Sequence, residues 1–270
     1  MNRIARRFAQ LKEEGRNGFV PFVSAGDPDL ETCQSILKVL VDSGADVIEL
    51  GVPFSDPMAD GPTIQASSQR ALQNGTRLSS VLDIVRNFRS YSEIPVVLFS
   101  YLNPLLQYGF ERIAADASHA GVDGILVTDA IDEEAAEISG RLRSHDLDLI
   151  SLVAPTTSDV RLEKICANAS GFLYAVSRAG VTGAQNAVSS DAETLVKRIR
   201  RYTNLPVAVG FGISSRDQIQ EVWRYADAAV VGSAIVSEIS RPGTPEEVVE
   251  RVREFVDRLI PTVAKSPVEI

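Results

Sequence analysis

Runs of four to eight mostly apolar residues, bounded by Gly, Pro and Asp, recur along the chain at 19–24, 47–50, 96–101, 124–127, 149–154, 171–176, 207–210 and 228–231. Most are continuous and rich in Val and Ile instead of alternating with polar residues, the pattern of strands covered on both faces. Between them lie helix-period segments long enough for crossovers, at 30–43, 78–90, 110–120, 133–145, 160–168, 191–202, 216–225 and 245–259. Several open with a cap or first-turn acid, as in Ser158-Asp159, Ser190-Asp191 and Thr244-Pro245-Glu246. An opening helix carries Ile4, Phe8 and Leu11 on one face and is placed to plug the bottom of a barrel. Eight βα repeats in 270 residues predict an α/β fold, a (β/α)8 TIM barrel with an additional N-terminal helix. An open doubly wound sheet is the alternative. No linker or composition shift divides the chain, so 1–270 is expected to form one domain with a loose tail at 264–270.

Charge narrows the partners. A net charge of -9 argues against nucleic acid and acidic membranes, and the basic run from Lys197 to Arg201 reads as a solvated helix face. The start from Met1 to Glu14 contains acids and no continuous apolar stretch, which makes a poor secretion signal. No segment reaches the roughly 18 apolar residues needed to cross a bilayer. Cys33 and Cys166 lie far apart in helical segments and form no disulfide framework, so a reducing cytoplasm fits. His119 and His145 fall near helix ends without a second ligand at metal spacing, and no metal site is expected.

Glu49 interrupts the second strand, where burial favours the neutral acid, and Asp56 and Asp60 follow in a loop stiffened by Pro53, Pro57 and Pro62. A carboxyl group there needs a partner or a task. Glycine-containing loops follow the last three strands: Ser177 to Gly183, Gly210 to Ser214, and Gly232 to Ala234. Active sites of such barrels lie at the strands' C-terminal ends, and late Gly loops running into helix starts can hold a phosphate on backbone N–H groups alone.

Four stretches carry a family resemblance: Phe19-Val-Pro-Phe-Val-Ser-Ala-Gly-Asp-Pro28, the long run from Glu49 to Gln65, Ser177-Arg-Ala-Gly-Val-Thr-Gly183 and Val209-Gly-Phe-Gly-Ile-Ser214. Over nearly its whole length the chain resembles the α subunit of tryptophan synthase. The resemblance implies retro-aldol cleavage of indole-3-glycerol phosphate to indole and glyceraldehyde 3-phosphate. No cofactor is implied in this chain; pyridoxal phosphate would be carried by a β subunit in an α2β2 heterotetramer.

Matched residue by residue, Glu49 is implied to be the general acid/base and Asp60 the carboxylate at the indole N–H. Phe22, Ile64, Phe99, Val127 and Phe211 are implied to wall the indole pocket, with Tyr174 beside the substrate and Glu49. Thr182 and Gly183 are implied to belong to a loop that closes over the site. By the same resemblance Gly183, Gly212, Gly232 and Ser233 would grip the phosphate, and Asp56 would face the β subunit, with the region from Tyr101 to Pro104 near the same face. The run Ala130 to Glu134 lacks the proline that relatives usually carry there, which bears on coupling to the partner.

Other readings share the glycines. A sugar-phosphate isomerase or an indole-glycerol-phosphate-forming cyclase would need different acids or a strand-end Lys, and no proposed strand contains Lys. A barrel acting mainly as an activating partner is a third reading.

Overall fold

The computed structural model describes residues 2–130, 132–176, 190–210 and 212–260. The chain begins with α1 (Arg3–Glu13), β1 (Gly18–Ser24), α2 (Leu30–Asp42), β2 (Ile48–Gly51), α3 (Pro62–Gln73) and α4 (Leu78–Phe88). It continues with β3 (Val96–Ser100), α5 (Leu102–Tyr108), α6 (Phe110–Ala120), β4 (Gly124–Val127), α7 (Asp132–Arg143), β5 (Asp148–Val153) and α8 (Asp159–Asn168). The last part holds β6 (Leu173–Val176), α9 (Ser190–Ile199), β7 (Val207–Gly210), α10 (Arg216–Val222), β8 (Ala228–Val231), α11 (Ser233–Ser240) and α12 (Pro245–Leu259). Each strand pairs in parallel with the next, and β8 closes on β1. The barrel is therefore closed, which overrules the open sheet.

A strand's period of two explains the unbroken apolar runs, because one set of side chains fills the barrel and the other meets the helices. Val20, Phe22, Val97, Phe99, Leu126, Ile150, Phe172 and Tyr174 form the interior cluster, together with Ile4, Phe8 and Leu11 of α1. Phe8 and Phe172 pack with ring centroids 5.6 Å apart, so the opening helix does plug the bottom. Val23, Ile48, Leu98, Ile125, Val127 and Val209 belong instead to the layer between sheet and helices.

Carboxylates fix the strands' N-terminal ends. Asp46 accepts the Phe19 N–H at 2.7 Å and is paired with Arg7 and Arg16, and Asp123 accepts the Val96 N–H at 2.8 Å and is paired with Arg3 and Arg89. Asp227 repeats the contact on Val207 N–H at 2.7 Å. These acids sit at the end of the barrel opposite the cavity and hold neighbouring strands in register.

Three helices escape the sequence pattern: α3, α5 and α11. In α3, Pro62 occupies the first helical turn, where its missing N–H costs nothing, so a residue that reads as loop stiffening is a helix start. α5 is short and contains Pro104 in its first turn, and α11 follows β8 after Gly232 alone. β6 starts at Leu173, not at 171, because Gly171 takes φ +70°, outside the extended region. Among the described residues no helix is long and apolar enough to cross a membrane, and no group of three or more His, Cys, Asp or Glu could hold a metal. Both cysteines are free and buried. The 264–270 tail lies outside the described residues.

Candidate active site

A cavity of about 290 Å³ opens at the C-terminal end of the barrel, lined by Phe22, Glu49, Asp60, Ile64, Phe99, Tyr174, Gly212, Gly232 and Ser233. Strand register sets its floor: Glu49 of β2 lies between Phe22 of β1 and Val97 of β3. Its side chain is 1% exposed, and neither carboxyl oxygen has a hydrogen-bond partner among the described residues. Burial alone pushes the Glu49 pKa up to about 8, so at neutral pH the group is mostly the neutral acid, with its proton free for transfer. An unsatisfied buried carboxyl is costly in a folded protein and marks a group kept for chemistry.

Asp60 stands just before Gly61, the N-cap of α3, and burial raises its pKa to about 6 against the opposing pull of the Tyr101 hydroxyl. It is the stronger acid of the two and is ionised at neutral pH. Tyr174 is near both: its pKa lies well above the ordinary 10 through burial first, then through the charges of Glu49 and Asp60. Gly210 makes room for that phenol, since a Cβ there would come within 2.0 Å of the Tyr174 hydroxyl oxygen. Likewise a Cβ at Gly51 would stand 2.6 Å from the Phe22 ring, which meets Phe99 edge-on at 5.3 Å between centroids and 78°. Two glycines thus let aromatic side chains lean across the barrel mouth and form a slot suited to a flat ring.

The opposite wall is polar backbone. Gly232 is the N-cap of α11 and supplies no side-chain cap, so first-turn N–H groups around Ser233 and Ala234 border the cavity. Gly212 adds a loop at φ +84°, a conformation that glycine adopts without strain. Ser214 and Ser237 complete this side. No lysine or arginine borders the cavity among the described residues, so an anion here would be held by amide and hydroxyl groups.

Val127 does not join this site. The period of two in β4 turns Leu126 into the barrel and Val127 toward the helices, where it borders a separate small cavity with Thr128 and Ile165. The interior residue of that strand is Leu126. Asp56 is exposed and lies apart from the cavity, bonded to Ser55 Oγ. Thr182, Gly183 and Phe211 lie outside the described residues. Sequence reading overlooked Thr63, Val230 and Ser237 as lining residues; Ser214 and Ala234 entered it only as the ends of the glycine loops. Ser237 follows Ser233 by four positions, so recognising α11 as a helix would have put both on one face. The proline-free turn after β4 starts from Asp129, whose carboxylate accepts the Leu102 N–H at 2.7 Å and so anchors the start of α5.

A family model described as tryptophan synthase alpha chain matches residues 8–263. The chain is 50% identical over 259 residues to the tryptophan synthase alpha chain of Geobacter sulfurreducens, covering 96% of this chain and 98% of that one. With the same protein of Caulobacter vibrioides it shares 52% over 253 residues, covering 93% and 92%. A structure of Mycobacterium tuberculosis tryptophan synthase superimposes with a TM-score of 0.88 at 36% identity, covering 96% of each chain. A mutant tryptophan synthase alpha-subunit from Pyrococcus furiosus does so at 0.83 and 40%, covering 90% and 97%.

Proposed function

The chain belongs to the tryptophan synthase alpha chain family, and from that premise we propose that Glu49 and Asp60 carry out the family's cleavage of indole-3-glycerol phosphate. The products are indole and glyceraldehyde 3-phosphate, and the indole passes to a β subunit that holds pyridoxal phosphate; this chain needs no cofactor of its own. The observation that carries the residue assignment is Glu49: a neutral, unpartnered acid at the floor of an apolar slot that also holds an ionised carboxylate.

Cleavage starts when neutral Glu49 gives its proton to ring carbon C3. The ring nitrogen then bears positive charge, and the Asp60 anion stabilises it where it forms. Glu49, now a carboxylate, takes the proton of the side-chain hydroxyl next to the ring. The carbon–carbon bond breaks, its electron pair returns to the indole ring, and the former alcohol carbon becomes the aldehyde. Glu49 ends protonated, ready for the next turnover. Phe22, Ile64 and Phe99 hold the ring, and Phe211 joins them by its match to the family. Gly212, Gly232 and Ser233 take the phosphate, with Gly183 of the Thr182–Gly183 loop.

The rest of the reading follows the family. Residues 1–270 act as one barrel unit in a cytoplasmic α2β2 assembly, with Asp56 on the side of the β subunit. A Schiff-base aldolase or a cyclase that depends on a strand Lys is disfavoured, because none of the eight strands carries Lys. Indole release from indole-3-glycerol phosphate, measured on the purified chain alone and with a β subunit, tests the reading. Glu49→Gln is expected to lower turnover by about 10²-fold or more in both settings, and a near-normal rate overturns the assignment.

A further inference from the structure

Tyr101 closes β3 on the side of the loop that carries Asp60, and its side chain makes three contacts with that one loop. The ring is buried and lies beside Phe54, with centroids 5.2 Å apart. The Ala59 N–H donates to the hydroxyl oxygen at 2.9 Å. A phenol accepts and also donates, and the proton left over faces the Asp60 carboxylate. Packing alone would be met equally by Phe, so the hydroxyl is the informative atom. The loop's other anchors hold its backbone and leave the Asp60 carboxylate alone: Gln65 Nε2 of α3 donates to the Asp60 carbonyl at 2.9 Å and the Pro57 carbonyl at 3.4 Å, and turn contacts run from Met58 N–H to Asp56 and from Asp60 N–H to Pro57.

Resting on the reading of Asp60 as the group that meets the indole N–H, we propose that Tyr101 is a positioning residue for the cleavage. Its hydroxyl, seated between the Ala59 amide and the Asp60 carboxylate, holds the loop so that Asp60 faces the indole nitrogen.

The same contact favours the charged form of Asp60. A hydrogen bond donated to a carboxylate lowers its pKa, and here that pull opposes burial, which is the larger effect. Tyr101 stays protonated and able to donate, since burial, Asp60 and Asp129 all raise its own pKa. The other titratable neighbours of the pair are Glu49 on β2 and Tyr174 on β6. Neither is a cation, and no lysine or arginine is among the described residues lining the cavity to favour the Asp60 charge in the hydroxyl's place.

The test is the pH dependence of kcat and kcat/KM for Tyr101→Phe in the complex with a β subunit. The acid limb is expected to move upward by about one pH unit and kcat to fall about tenfold, with KM changed less than about threefold. Phe54→Leu, which disturbs the ring contact and leaves the hydroxyl, is expected to leave the limb in place. Site-specific 3-fluorotyrosine at position 101, a more acidic donor, is expected to move the limb the opposite way; it serves also if Tyr101→Phe folds poorly. A limb unmoved in both hydroxyl variants overturns the proposal. Asp60→Asn separates the two levels: if it keeps activity, the reading of Asp60 fails; if it is inactive while the limb ignores Tyr101, only the present inference fails.

Discussion

Replacing Glu49 by Gln should make the protein more stable at alkaline pH while removing its activity. Gln keeps the shape and a similar cost of burying a polar group, but it cannot ionise. In the wild-type protein the folded state holds the Glu49 proton up to about pH 8, whereas the unfolded chain releases it near the ordinary 4.5. Between those values the native state binds more protons than the unfolded state, so stability falls as pH rises. The slope is about 1.4 kcal/mol per pH unit, and across the whole window the loss comes to about 5 kcal/mol. That is a large part of a typical domain's total stability. Titrating groups away from the cavity are common to both proteins and cancel in the difference. Urea unfolding at pH 4, 7 and 9 measures it: the two proteins should differ little at pH 4, and Glu49→Gln should lead by several kcal/mol at pH 9. A difference that stays flat across this range would refute the claim that the acid is buried and neutral at working pH.

The two carboxyl groups also set the rate. A bell-shaped kcat/KM profile is expected, with limbs near pH 6 for ionisation of Asp60 and near pH 8 for loss of the Glu49 proton; a rate constant between pH 5 and 9 contradicts the assigned protonation states. Gly232→Val adds a side chain next to Phe22 at the phosphate wall and is expected to raise KM about tenfold or more with little change in stability, whereas equal losses in both would count against phosphate binding there. At the other end of the barrel, Asp46→Ala leaves the Phe19 N–H and Arg7 without their carboxylate and leaves Arg16 with Glu14 alone; urea unfolding should show a loss of about 3 kcal/mol with kcat unchanged, and a loss below about 1 kcal/mol would mean that the ion pairs do not hold the strands.

All eight strands could be read from the sequence because a parallel barrel leaves each strand buried on both sides, and that burial writes itself as unbroken Val and Ile runs. Helices with a polar outer face were equally plain, and 110–120 and 245–259 match their observed bounds. The helices that failed to register begin in loops around the cavity, where Pro62 and Gly232 are ambiguous between turn and helix start. Glu49 and Asp60 stood out because an acid within or just after an apolar strand has few innocent explanations. Wall residues did not, since Phe22 and Ile64 look like any core residue. Val127 illustrates the limit: adjacent strand positions differ only in which way they point, and register with β3 decides that Leu126 is the one facing inward.

Closure of the barrel by β8 against Gly18–Pro21 has a consequence for synthesis. The first strand to leave the ribosome waits for the last, about two hundred residues later, before its second edge is covered. A nascent chain halted before residue 228 therefore carries a bare, apolar strand margin able to capture a neighbour. The finished ring offers no such margin.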